Sequence, residues 1–200
     1  MCTGKCSRCI AVTLYPLMLL SIICNIILFF PGWDVKYAKD GHITTEVTYM
    51  GGVIGGGLLC LIPALYIHLT GEQGCCGNRF GMLLSIIFAA IGVVGAFYSF
   101  IVALLGLTNG PLCRVESHPS IALYSEIWTT PFKDSTHSTY LNNYTQWNIC
   151  IEPKDVVQFN MGLFISLMIA SGLQGLLCAI QMINGLFGCL CGTCFNKEEA

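Results

Sequence analysis

Four stretches of this chain, at about residues 10–30, 47–69, 82–107 and 159–190, contain no Asp, Glu, Lys or Arg. About 20 consecutive apolar residues are enough to carry a helix across the hydrocarbon core of a bilayer. The expected fold is therefore an all-α membrane protein, a bundle of four transmembrane helices (helices 1 to 4) forming one domain over residues 1–200. Only 10% of the residues are charged, against about a quarter in a soluble domain, and the mean hydropathy is +0.70. A net charge of −2 supplies no basic field for nucleic acid.

Lys5 and Arg8 ahead of the first run give it the look of a secretory signal. Its apolar core is too long for one, and no small-residue cleavage site precedes Pro31-Gly32, so a retained helix is expected. Met1-Cys2-Thr3-Gly4 lacks the glycine that myristoylation needs, and no prenylation box ends the sequence.

The 13 cysteines fall into three groups. Cys2, Cys6, Cys9, Cys75, Cys76, Cys189, Cys191 and Cys194 lie at the edges of apolar runs on one side. Cys24, Cys60 and Cys178 lie inside runs, while Cys113 and Cys150 bracket a polar loop at 108–158 that also holds the sequon Asn143-Tyr144-Thr145. Glycans and structural disulfides belong to the lumen or cell exterior, and thiols persist in the cytosol. The basic residues Lys5, Arg8, Arg79 and Lys197 on one side, against Lys36 and Lys39 after helix 1, add a mild bias in the same sense. Both termini and the 70–81 loop are thus expected in the cytosol, with 31–46 and 108–158 outside.

Helix 3 carries Ser85, Ala89, Gly92, Ala96, Ser99, Ala103 and Gly106 at alternating spacings of four and three, a seam of small residues along one face. In helix 2, Gly51-Gly52 and Gly55-Gly56 form two overlapping small-xxx-small pairs on adjacent faces. Small residues let helices approach where lipid gives no hydrophobic drive. Packing inside the bundle is the leading reading of Gly52, Gly56 and the helix 3 seam, with a lateral interface the alternative. Pro16 and Pro63 are expected to bend helices 1 and 2. Asn25, Gln174 and Gln181 are amides within apolar runs, with Asn184 close by. Interhelical hydrogen bonds are their ordinary use; a polar cavity for a small molecule or lipid is the sharper alternative. The absence of intramembrane charge argues against ion-coupled transport.

Cys6-Ser7-Arg8-Cys9 and Cys191-Gly192-Thr193-Cys194 are both CxxC, a pattern that can hold zinc. The two pairs stand at opposite ends of the chain, and more than four cysteines hug the membrane edge, which favours S-acylation of juxtamembrane thiols. The expectation is no metal and no cofactor. A Cys113–Cys150 bridge would be worth about 4 kcal/mol of loop-closure entropy. Trp128, Phe132, Tyr140, Tyr144 and Trp147 supply aromatic area for a small folded cap or for interface anchors. His118, His137 and the carboxylates show no metal or triad spacing, so no catalytic residue is assigned.

Met1-Cys2-Thr3-Gly4-Lys5-Cys6-Ser7-Arg8-Cys9, Asn25-Ile26-Ile27-Leu28-Phe29-Phe30-Pro31 and Gly51-Gly52-Val53-Ile54-Gly55-Gly56-Gly57 resemble segments of the transmembrane 4 L-six family. So do Cys75-Cys76-Gly77, Asn109-Gly110-Pro111-Leu112-Cys113, Glu152-Pro153 and the run from Leu177 to Gly185. The resemblance covers nearly the whole chain except 114–145 and is nearest to the intestine and liver members. Two departures stand out: Cys-Cys-Gly occurs once in the inner loop rather than doubled, and Phe159-Asn160-Met161-Gly162 replaces a second sequon. Tetraspanins carry Cys-Cys-Gly in the large outer loop, and claudins have their large loop after helix 1, so neither pattern fits. The resemblance implies a non-enzymatic membrane organiser. Such a protein would associate laterally with integrins, tetraspanins and other receptors and influence adhesion, migration and proliferation. Membrane lipids and a second copy of the chain are further expected partners. The plasma membrane is the expected location, with endosomes or lysosomes as alternatives.

Overall fold

A computed structural model describes residues 3–72, 79–115, 127–133 and 139–191. Four helices in it are long and apolar enough to cross a membrane. Helix 1 spans Thr3–Leu28, helix 3 Arg79–Asn109 and helix 4 Val156–Cys191. Each outruns its apolar stretch, because nothing in the flanking turns breaks the ladder of backbone hydrogen bonds. Helix 3 stops where it does for a local reason. Gly110 adopts φ +73°, the left-handed conformation that closes a helix C-terminus, and Pro111 cannot continue the ladder.

Helix 2 is assembled from pieces: Thr45–Thr48, Gly51–Val53, a π-helical stretch Ile54–Leu59, and Cys60–Glu72. Met50 breaks the first turn from the rest with φ +50°, and the Tyr98 hydroxyl donates to the Tyr49 carbonyl at that break (2.8 Å). Pro63 has no N–H to offer the Leu59 carbonyl, and its ring crowds that oxygen. The wide stretch ends at Leu59. Pro63 thus acts through the turn before it, whereas Pro16 sits exposed within a continuous helix 1.

The helices form a ring in which 1 neighbours 2, 2 neighbours 3, 3 neighbours 4, and 4 returns to 1. One buried cluster joins Leu14 and Met18 of helix 1 to Ile67, Ala96 and Cys178 on the other three. A second joins Leu28, Val47, Ala103 and Phe164 nearer the other end. Large apolar side chains such as Val94, Phe97, Ile169 and Leu176 point outward, as they must where the solvent is lipid.

Both loops at one end build a joint cap. Strands β1 (Cys113–Val115) and β2 (Ile127–Thr129) pair antiparallel with Arg114 opposite Trp128. Short 3₁₀ turns follow at Thr139–Leu141 and Tyr144–Ile149. Phe132, Tyr140, Val156 and Val157 pack around Cys113 as the cap's own core. The first loop contributes Pro31–Trp33 and the short helix Lys36–Lys39. Residues 31–46 and 108–158, both expected on one side, form one body through contacts such as Tyr37–Glu152 and Glu46–Asn109.

Candidate functional site

The seam on helix 3 is wholly enclosed: Ser85, Ala89, Gly92, Ala96, Ser99, Ala103 and Gly106 are all buried. A β-carbon on Gly92 would stand 2.7 Å from the Cys178 sulfur and 3.0 Å from the Pro63 ring, and one on Gly106 would enter the Phe164 ring. The two glycine pairs of helix 2 serve two neighbours. Gly52 and Gly56 meet Ser21 of helix 1, with Leu167 and Gln174 of helix 4 beside them. Gly51 meets Val102, and Gly55 lies against the Gly95 carbonyl of helix 3. Adjacent faces pack on adjacent helices, leaving these residues no role at the bundle's outer surface.

The intramembrane amides are fully buried and point at protein. Asn25 Oδ1 accepts the Val53 N–H (3.1 Å), tying helix 1 to the start of the unbroken part of helix 2. Gln174 Nε2 donates to the Gly56 carbonyl (2.9 Å) inside the π-helical stretch, where the wider turn alters the usual ladder. Gln181 Nε2 donates to the hydroxyls of Ser7 (3.1 Å) and Ser85 (3.0 Å), and Asn184 Nδ2 donates to the same Ser7 (3.1 Å). Asn25, Gln174 and Gln181 therefore bond across four helix pairs: 1 with 2, 2 with 4, 1 with 4 and 3 with 4. Seven residues of helix separate Gln174 from Gln181, about 10 Å along the axis. Between them Cys178 packs at Gly92, and the Cys60 thiol donates to the Gly92 carbonyl (3.6 Å).

At the end away from the cap, Cys6 and Cys9 are exposed and Cys189 is partly exposed, all as free thiols. Cys191 closes helix 4. Cys2, Cys75, Cys76 and Cys194 lie outside the described residues. Helices 1 and 4, which carry or adjoin the two CxxC pairs, are neighbours. No group of three or more metal-ligating side chains occurs among the described residues.

In the cap, Cys113 and Cys150 are bridged, with their α-carbons 5.5 Å apart. Asn143 starts the Tyr144–Ile149 turn, its Oδ1 accepting the Thr145 N–H (3.2 Å) and hydroxyl (2.5 Å). The aromatics divide their work. Phe132 and Tyr140 stack in the buried core, with the Tyr140 hydroxyl donating to the Leu107 carbonyl at the end of helix 3. Burial pushes the Tyr140 phenol up to about 12. Tyr144 is exposed and packs its edge on Trp147. Trp128 leaves the loop core to stack on His42 of the first loop, ring centroids 4.0 Å apart.

The clasp between the two loops was not foreseen. Tyr37 donates to Glu152 Oε1 (3.0 Å), and Arg114 pairs with Glu152 Oε2 (3.0 Å). Burial first, then the Glu152 carboxylate, raises the Tyr37 phenol. Asn109 also donates to the mostly buried Glu46 (2.5 Å), and Thr44 receives the Leu112 N–H (3.3 Å). Only the polar character of these residues hinted at such a role; Arg114 and Glu152 share one loop, while the contacts between the two loops join residues 63 to 115 positions apart.

Four apolar helices in a ring, with a disulfide-closed loop between the third and fourth, define a tetraspanin-like multi-pass membrane protein. The chain belongs to the L6 membrane family: the model of the "L6 membrane protein" family matches residues 1–195. It is 44% identical to rat "Transmembrane 4 L6 family member 4" over 97% of this chain and 94% of that one. Human "Transmembrane 4 L6 family member 1" is 41% identical over 100% and 98% of the two chains. Cattle "Transmembrane 4 L6 family member 5" is 42% identical over 99% and 98%. No solved structure matches the fold.

Proposed function

We propose that this protein is a non-enzymatic organiser that associates laterally with adhesion receptors and other membrane proteins, in keeping with the family resemblance to proteins that join integrins and tetraspanins. The observation that carries the proposal is the division of its polar groups. The buried amides and small residues hold the bundle together, while free thiols stand exposed at one end and a rigid bridged cap at the other. Acylation of Cys6, Cys9 and Cys189, of Cys2, Cys191 and Cys194 beside them in sequence, and of Cys75 and Cys76 in the 70–81 loop would set lateral partitioning, since the helices already anchor the chain. A glycan on Asn143 would put the cap outside and both termini in the cytosol. Plasma-membrane residence, and through it an influence on adhesion, migration and proliferation, belongs to the same reading.

Each of the three amides of the ligand-cavity alternative is bonded to a neighbouring helix, which favours the organiser reading. Acyl-exchange mass labelling of intact cells, with glycosidase treatment in parallel, tests the proposal. Several hydroxylamine-sensitive thiols together with one Asn143 glycan are expected. Absence of thioester-linked acyl groups would sink the acylation part, and an unglycosylated Asn143 would remove the main support for the orientation.

A further inference from the structure

An open pocket of about 620 Å³ lies at the cap end, between the outgoing end of helix 1 and the start of helix 4. Its level is set by Trp33, just past helix 1, and Phe159, in the first turn of helix 4; their rings meet edge to face at 6.2 Å. Trp33 is 76% exposed, and such a ring is at home where hydrocarbon meets headgroups. The Arg114–Glu152 pair closes one wall and is satisfied within the protein. Asp34, Lys154 and Asp155 complete the lining, and none of these three has an ion-pair partner among the described residues. Two carboxylates and one ammonium thus present both signs of charge to the pocket, Asp34 Oδ1 also accepting the Lys36 N–H (3.0 Å).

The backbone is strained at the same place. Trp33 (φ +63°) and Asp155 (φ +56°) are two of the three non-glycine residues in the left-handed region among those described. Strain of this kind costs about 1–3 kcal/mol and clusters at ligand clamps. Directly below Phe159, one turn further along helix 4, Gly162 is exposed and would have nothing within 4 Å of an added β-carbon. Ser166 and Ile169 continue that face down helix 4.

We infer that this pocket holds the phosphocholine headgroup of a choline phospholipid from the leaflet at the cap end, with an acyl chain lying over Gly162. The trimethylammonium sits against the Trp33 ring between the Asp34 and Asp155 carboxylates, a cation–π arrangement backed by opposite charge. The Lys154 ammonium meets the phosphate. Neither the orientation nor the acylation proposed above enters this inference, so its failure would leave them standing.

The test is native mass spectrometry of the full-length protein in detergent, titrated with phosphatidylcholine, with phosphatidylglycerol of the same chains, and with free phosphocholine. One phosphatidylcholine is expected to bind at least tenfold more tightly than phosphatidylglycerol. The preference should vanish in Asp34→Asn/Asp155→Asn, and retention should fall in Gly162→Leu, with no loss of thermal stability in either. Equal retention of the two lipids, or an unaltered preference in the double variant, overturns the inference. Displacement of the lipid by free phosphocholine at the lipid's own concentration would overturn it too, since the chain would then contribute nothing.

Discussion

Gln174 shows how much one side chain decides inside a bilayer. Its amide N–H bonds a glycine carbonyl in the wide turn of helix 2, and lipid offers that carbonyl no substitute. Gln174→Leu is expected to lower stability in detergent by about 1 kcal/mol, read as an earlier midpoint in an SDS titration. Tyr140 is the matching case in the cap. Its phenol is held at about 12 by burial, against about 10 in an unfolded chain. Between those values the unfolded chain has lost the proton and the folded one keeps it, so stability falls as pH rises from 10 toward 12 and is untouched by this group below 10. Tyr140→Phe should remove that alkaline step. It also leaves the Leu107 carbonyl unpaired, lowering cap stability at neutral pH by about 1–2 kcal/mol. Absorbance at 295 nm together with melting at pH 8 and pH 11 would separate the two effects.

At the scale of the element, helices 2 and 3 are where glycine is required by space. Gly106→Leu must displace the Phe164 ring, and overpacking of this kind costs about 1–3 kcal/mol. Gly162→Ala meets nothing and should stabilise helix 4 by up to about 1 kcal/mol. Circular dichroism melts of the two variants in the same detergent should move in opposite directions. This layer of the structure was open to sequence reading because the helical period is short. Seven small residues at spacings of four and three share a face in any helix, and the face shows in the text of the chain. The π-helical stretch was not readable, because Ile54–Leu59 spells an ordinary apolar run and its setting comes from Pro63 packed at Gly92 and from Gln174 bonding the Gly56 carbonyl. Nor was the clasp of Tyr37, Arg114 and Glu152, since no periodicity links residues 115 positions apart.

For the molecule as a whole, the cap and the bundle stand on different supports. The bundle rests on contiguous burial among four helices, the cap on one disulfide, a small aromatic core and the Glu152 clasp. Cys113→Ser/Cys150→Ser is expected to destabilise the cap by about 4 kcal/mol while leaving the helices paired. Limited proteolysis should then cut within 108–158 far faster than in the parent, with helicity retained. Loss of helicity would show instead that the bridge supports the membrane part as well.

The contact between the first and last helices also imposes an order on how the chain is made. Ser7 emerges from the ribosome among the earliest residues, yet its partners Gln181 and Asn184 come 174 and 177 positions later. The same holds for Gly56, whose partner Gln174 follows 118 positions behind. A nascent chain with three helices inserted therefore still lacks the amide that bonds the Gly56 carbonyl of helix 2. The ring closes in one late event, when helix 4 slides between helices 1 and 3. Chains stopped before that point leave the Gly56 carbonyl and the Ser85 hydroxyl without the amides that helix 4 brings, a mark by which an unfinished chain differs from a finished one.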